Sequence, residues 1–273
     1  MVILANRTVC PAVIAIVSVF TMLPGRLEAC EPFEFRGRVK SVVETEALVD
    51  SATGNIGRAR QVLRIDVSQS GDTAKTTLSV SGRSAQPPAT STTYFENGRP
   101  VRRLESQKGK TVPAGTCSYD AQGRLVEARI GSEYSESGSV DTYEYGPGVI
   151  RLRSNNTFSG PSVITQTLDA NGRVIKEVVV HEATSTVHLT IEITYDGDRK
   201  TVCGVSARDP RRQCATTVVD SRGNEIEFLA EGQTRKTAFE YDSVGNWISK
   251  RTSVTGPVGG TVETIVQRKI EYW

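Results

Sequence analysis

Apolar and polar residues alternate with a period of two along much of this chain, and that alternation predicts half-buried β-strands. Leu189, Ile191, Ile193 and Tyr195 share one face, with Thr190, Glu192 and Thr194 on the other. Phe239 and Tyr241 stand opposite Ala238 and Glu240. Near the end of the chain Val266, Ile270 and Tyr272 oppose Gln267, Lys269 and Glu271, with Arg268 interrupting the apolar face. No convincing helical period follows residue 30. Val, Thr and Ile enrichment, with turn signals between the strands, predicts an antiparallel meander rather than a parallel sheet wrapped in helices.

A tyrosine-aspartate-turn-glycine phrase punctuates the strands. Its clearest copies begin at Tyr119-Asp120 and Tyr241-Asp242, with weaker ones at Leu168-Asp169 and Val219-Asp220 and truncated ones at Tyr94 and Tyr195. Anchored on Tyr94, Tyr119, Tyr145, Leu168, Tyr195, Val219, Tyr241 and Tyr272, the intervals are 25, 26, 23, 27, 24, 22 and 31 residues. Periods of this size belong to repeat architectures. Asp-x-x-Gly fits a type I turn: Asp at the first position accepts from backbone amides, and Gly at the last tolerates positive φ and permits a G1 bulge. Each phrase therefore predicts a hairpin tip, and the repeated Tyr falls on the core face. One hairpin cannot bury its own apolar face, so stability should reside in the stack.

The phrases resemble the YD repeat of the RHS family, over about residues 90 to 273. Upstream, Phe35 to Val42 and Val62 to Ser81 look like degenerate copies. In large family members the resemblance implies a spiral β-sheet that forms a hollow shell around a toxin. A repeat region this short predicts something smaller: an all-β, repeat-built antiparallel meander of successive hairpins forming one curved or wrapped sheet, open at its edges. Residues 50 to 90 read either as two irregular hairpins or as loop.

The amino end adds a processing signal. Arg7 precedes an apolar stretch from Val9 to Leu23, followed by Pro24-Gly25-Arg26 and a small residue, Ala29, at the expected cut. At ~15 residues the stretch falls short of the ~20 that a membrane-crossing helix requires. The expectation is a helical signal peptide over 1–29 and a β domain over 30–273, with degenerate repeats to 90 and clearer ones from 91. The mature chain would carry no transmembrane segment and would be exported to the periplasm, the outer-membrane surface or the exterior. Without Arg7, Arg26 and Glu28 the charge balance is 31 Lys and Arg against 30 Asp and Glu. A surface so evenly mixed gives no footprint for nucleic acid or for a polyanion.

Five cysteines become four after such a cut, namely Cys30, Cys117, Cys203 and Cys214. Cys203 and Cys214 flank a short Arg-rich loop and predict a cross-hairpin disulfide; Cys30 and Cys117 remain to pair with each other. A lipid anchor on Cys30 is the competing reading, and Glu28 breaks the Leu-small-small-Cys pattern it would need.

Candidate chemistry is sparse. His181 and His188 would face each other if residues 183–186 turn a hairpin, yet the strand register places His188 on the solvated face, and two histidines lack the usual third metal ligand. Asp120, Asp169, Asp196, Asp220 and Asp242 are accounted for by turn chemistry. Arg99, Arg124 and Arg173 follow the turn glycine, with Asn224 and Asn246 replacing Arg in two copies; beside the Asp row they predict surface ion pairs across successive hairpins. Trp247, which follows a turn, and Trp273, on the polar face of the last strand, are the candidate binding residues; Trp273 also suits capping of an open sheet edge. Tyr143 and Tyr145 have core-facing parity. No hydrolase, nucleotide-binding or zinc-protease motif is present. No cofactor or metal is expected. The reading is a non-enzymatic exported protein with a structural, adhesive or recognition role toward an envelope protein or glycan. The alternatives are an envelope glycan hydrolase using paired carboxylates and a remnant of a toxin-delivery protein.

Overall fold

The protein is described from a computed structural model that covers residues 30, 35–50, 53–78, 89–107, 109–131, 138–156, 160–257 and 259–273. The expected helical signal peptide over 1–29, and the Gln86-Pro87-Pro88 stretch, fall outside the described residues. Eighteen strands occupy the described chain: β1 (Val39–Val49), β2 (Arg60–Val67), β3 (Thr73–Leu78), β4 (Ala89–Glu96), β5 (Arg99–Gln107), β6 (Lys110–Tyr119), β7 (Leu125–Ile130), β8 (Ser139–Gly146) and β9 (Val149–Asn156). They continue as β10 (Gly160–Leu168), β11 (Val174–His181), β12 (Thr186–Asp196), β13 (Arg199–Ser206), β14 (Gln213–Val219), β15 (Glu225–Ala230), β16 (Gln233–Tyr241), β17 (Trp247–Thr255) and β18 (Thr261–Tyr272).

Each strand pairs antiparallel with its chain neighbour, and β18 then returns to pair with β1, from Val39↔Tyr272 to Val49↔Glu263. The meander is thus closed into an 18-strand barrel, not the open curved or wrapped sheet that the repeat length predicts. The reason is physical: an open sheet leaves two rows of unpaired N–H and C=O groups, and closure removes both. The upstream region supplies the missing wall, since β1, β2 and β3 pair antiparallel in turn, with one register shift beside Glu44. Trp273 therefore caps no edge; its N–H donates to the Arg38 carbonyl (3.0 Å) on the neighbouring strand's entry. Strand spacing of ~4.8 Å and a tilt of ~40° give a backbone radius of roughly 18 Å for a circular section.

Burial separates the two faces. Ile65, Cys117, Asp141, Ile164, Ile191, Val202, Ala215 and Thr237 are buried and, by register, share one face. The opposite face carries Thr190, Glu192, Thr194, Lys236 and Arg251, and it is the more exposed. In a closed ring the less exposed face is the concave one, so the apolar stripe lines the interior. Most interior side chains, Ile193, Tyr195 and Phe239 among them, are only half-buried. Two compact clusters interrupt this lining. Cys30, Cys117 and Ala128 pack with Tyr119, Leu125 and Tyr143, and Val39, Val42, Ile65 and Ala74 pack with Phe35 and Tyr272.

All the Tyr-Asp tips lie at one rim, where β1 begins and β18 ends, because an up-and-down barrel returns to the same end at every second turn. The expected turn geometry is present at the four full copies. Gly123, Gly172, Gly223 and Gly245 have φ of +76°, +76°, +85° and +97°, and the register slips by one residue beside each tip. Asp196 is the exception: it pairs directly with Arg199 across a two-residue tip, so it does not share the turn position of the other aspartates.

The ion pairs close within single turns, Asp120 with Arg124 and Asp169 with Arg173, both at 2.7 Å, rather than across hairpins. What joins one hairpin to the next is an arginine-tyrosine latch. Arg124 stacks over Tyr145 (4.4 Å to the centroid), and the Tyr145 hydroxyl donates to the Leu125 carbonyl (2.8 Å). Arg173 and Tyr195 repeat the arrangement, with Val174 as acceptor (3.1 Å). Arg99 and Tyr119 do so with Pro100. The ladder fails because each Arg, four residues after its own Asp, meets it across a turn that is already closed, leaving its guanidinium face free for the next tyrosine.

Candidate functional site

The latch changes where Asn replaces Arg, and there the amino-terminal segment enters the barrel rim. Asn224 donates to the Tyr241 hydroxyl (2.7 Å), which donates in turn to Asp220 Oδ2 (2.7 Å). Asn246 likewise donates to the Tyr272 hydroxyl (2.8 Å), which donates to Asp242. Asn246 is buried and also grips the backbone of the incoming segment: Arg36 N–H donates to its Oδ1 (2.7 Å), and its Nδ2 donates to the Arg36 carbonyl (2.8 Å). The segment turns at Gly37 (φ +76°), where a Cβ would meet Val244 Cγ1 at 3.1 Å and the Tyr272 ring at 3.5 Å. A short Asn thus leaves the space that an Arg would fill, and the Arg36-Gly37 segment leading into β1 occupies it.

Three cavities meet around this seam. One of about 230 Å³ is lined by Arg36, Arg222, Arg268, Asn224, Tyr241 and Trp247. A second, about 500 Å³ on the inner wall, shares Asn224 and Trp247 and adds Phe239, Glu46, Glu225 and Arg235. A third, about 400 Å³, is mainly apolar: Phe35, Val39, Val67, Ala74 and Phe95, with Trp273 at its edge. Both predicted tryptophans therefore line cavities at one seam. Trp273 is 49 % exposed, with the Lys40 ammonium 5.4 Å from its ring.

The smallest cavity is cationic. Arg36 Nη1 and Arg222 Nη1 converge on Gly245, approaching the position of an added Cβ to 3.0 and 3.3 Å. Arg222 stacks on Tyr241 (3.9 Å) and donates to the Gly245 carbonyl. Arg268, which the sequence pattern marks as an interruption of the apolar face, is instead a built part of the wall. Its guanidinium lies 3.3 Å from the Trp247 ring centroid and donates through Nε to Glu44 (2.6 Å), directly opposite on β1. Burial lowers its pKa, and Glu44 opposes that shift. Burial, then hydrogen bonding to Asp220 and Asp242, raises the Tyr241 and Tyr272 phenols. The two carboxyls are lowered overall: burial pulls upward, and the tyrosine and backbone hydrogen bonds outweigh it.

The other predicted residues lie elsewhere. Cys203 pairs with Cys214 on the outer face of β13 and β14, and Cys30 pairs with Cys117 inside. His181 and His188 meet at 5.5 Å, edge to face, beside a one-residue register shift between β11 and β12. Among the described residues no set of three His, Cys, Asp or Glu could hold a metal ion. Tyr143 packs against the Cys30 cluster, and Tyr145 belongs to a latch. Arg36, Arg222 and Arg268 carry the site without forming any local motif; their traces in the sequence were the break that Arg268 makes in the apolar face and the Arg-to-Asn replacements at 224 and 246.

No family model and no curated protein matches this chain. Among solved structures it is similar to a porin-like protein from Bacteroides uniformis, at 11 % identity over 87 % of this chain and 98 % of that one, with a TM-score of 0.46. A porin-like protein from Bacteroides vulgatus gives 8 % identity over 86 % and 98 %, TM-score 0.26. A chain of the TcdB2-TccC3-Cdc42 complex gives 11 % identity over 79 % of this chain and 19 % of that one, TM-score 0.24. At these scores the likenesses carry no functional argument.

Proposed function

We propose that this chain is a short exported relative of the YD-repeat proteins, a water-surrounded barrel that recognises an acid-bearing glycan at its Tyr-Asp rim. The observation that carries the reading is the convergence of Arg36 and Arg222 beside the aromatic walls of Tyr241 and Trp247. Aromatic faces suit sugar rings, and paired guanidinium groups suit a carboxylate. The near-neutral overall charge does not oppose this, because two local cations suffice for one acid. No catalytic step is assigned. Glu46 and Glu225 share the larger cavity, but each is engaged by an arginine, Arg60 and Arg235 respectively.

Export is supported by the two disulfides, which suit an oxidising compartment. Cys30, once bonded to Cys117, offers no thiol for a lipid. A lipid-facing barrel needs an outward apolar band. Here the outer face carries charged pairs such as Glu127 with Arg129 and Arg251 with Glu263, which favours water on the outside.

The test is a glycan array followed by titration calorimetry, using a uronic-acid oligosaccharide and a neutral one of equal length. Arg36→Gln and Arg222→Gln should each weaken the acidic ligand about tenfold, the loss of one charge-assisted hydrogen bond, and leave any neutral ligand unchanged. Absence of binding to acidic glycans, or binding indifferent to both substitutions, refutes the proposal.

A further inference from the structure

Asp141 is wholly buried on the interior face of β8, and neither of its carboxylate oxygens has a hydrogen-bond partner. Ser154, directly opposite on β9, is 2 % exposed and its hydroxyl is equally unpartnered. A buried carboxylate without a partner is strongly unfavourable, so a retained one marks a place where a cation belongs. Cross-strand register runs Cys117↔Ala128↔Asp141↔Ser154. Cys30 is disulfide-bonded to the first of these residues and packs on the second, which is the cross-strand neighbour of Asp141.

In the full chain the nitrogen of Cys30 is a neutral amide. A cut after Ala29 changes its chemistry: water adds across the Ala29–Cys30 peptide bond, Ala29 leaves with the carboxylate, and the freed amine of Cys30 takes up a proton. We propose that Asp141 and Ser154 form the receiving site for this α-ammonium, so that leader removal completes an interior ion pair and fastens the mature amino end to the barrel wall beside its disulfide. The orphaned carboxylate is then a property of the uncut chain. The inference rests on the export reading above and on its cleavage point, not on the glycan site.

The experiment compares the chain beginning at Cys30 with one that retains Ala29, which moves the ammonium by up to ~3.5 Å, each with and without Asp141→Asn. The chain beginning at Cys30 should melt about 5 °C or more above the extended one. Asp141→Asn should lower its melting temperature while leaving the extended chain unchanged or slightly more stable. Equal effects of Asp141→Asn in both chains, whether up or down, overturn the proposal, because the carboxylate is then unpaired or held by some other cation. Should any variant fold poorly, labelling of the α-amine by an amine-reactive ester gives a second readout: protected in the mature chain, several-fold faster after Asp141→Asn. Unchanged labelling also overturns it. The intact mass of the exported protein reports the cut independently, so a different cleavage site would fault the export reading while the chain beginning at Cys30 still tests the ion pair.

Discussion

Removing Glu44 tests the closure of the barrel most directly. Glu44 on β1 and Arg268 on β18 face each other across the seam, with side chains only 13 % and 16 % exposed. Glu44→Gln keeps the shape and strands the Arg268 charge against Trp247 and Phe35. Breaking a buried pair from one side costs about 3–5 kcal/mol. The adjoining cavity of about 230 Å³ admits water to one side of the guanidinium, which places the expected loss near the lower end, about 3 kcal/mol. For a domain of this size that lowers the melting temperature by about 6–12 °C. Urea titration gives the free energy, and amide exchange shows where it is lost: β1 and β18 should exchange faster while β6 to β12 keep their protection. The combined Glu44→Leu and Arg268→Met change should recover most of the loss, since an apolar pair of similar volume replaces the charges. A single-substitution cost below about 1 kcal/mol, or a double variant as unstable as the sum, would refute the seam as a charge-dependent closure.

The two disulfides should differ in weight: on the chain-entropy model the Cys30–Cys117 link, 87 residues apart, contributes about 4.6 kcal/mol and the Cys203–Cys214 link, 11 apart, about 2.8 kcal/mol, measurable by denaturation of the paired Ser variants. Tyr195→Phe should cost about 1 kcal/mol for one lost hydrogen bond to a carbonyl, and Tyr241→Phe about 2 kcal/mol, because its hydroxyl serves both Asp220 and Asn224. Asp120 and Asp169 are lowered first by backbone hydrogen bonds from Arg124 and Arg173, and Asp220 and Asp242 are lowered despite burial. Their contribution is therefore full above the unfolded carboxyl value of ~3.9 and lost as pH falls through their lower folded values. Tyr119, Tyr145, Tyr241 and Tyr272 are raised, first by burial, so their contribution is full below ~10 and lost as pH rises beyond it. A melting-temperature profile against pH should fall at both ends, and a profile flat below pH 4 would contradict the turn assignment.

The strands and their tips were legible because their causes are local. Period two sets which side chains share a face, and Asp-x-x-Gly sets the bend, whatever the rest of the chain does. Leu189 to Tyr195 and the bulged tip at Gly172 needed nothing more. Asp196 was misread because a Tyr-Asp-Gly run can also make a two-residue tip, and only the opposing residue, Arg199, distinguishes the two.

The amino-acid pattern alone determined an antiparallel ribbon with an apolar side, a recurrent tyrosine before its Asp-x-x-Gly bends and cysteines enough for two cross-links. Whether that ribbon stayed open was decided in three dimensions, where Val39 to Val49 meets Thr261 to Tyr272 more than two hundred residues later. Alternation records which side faces inward but not how far the sheet curls, since curl depends on the summed stagger and twist of every pair around the ring. The cationic pocket has the same origin: Arg36, Arg222 and Arg268 become neighbours only once the ring shuts and the amino end is caught by Asn246.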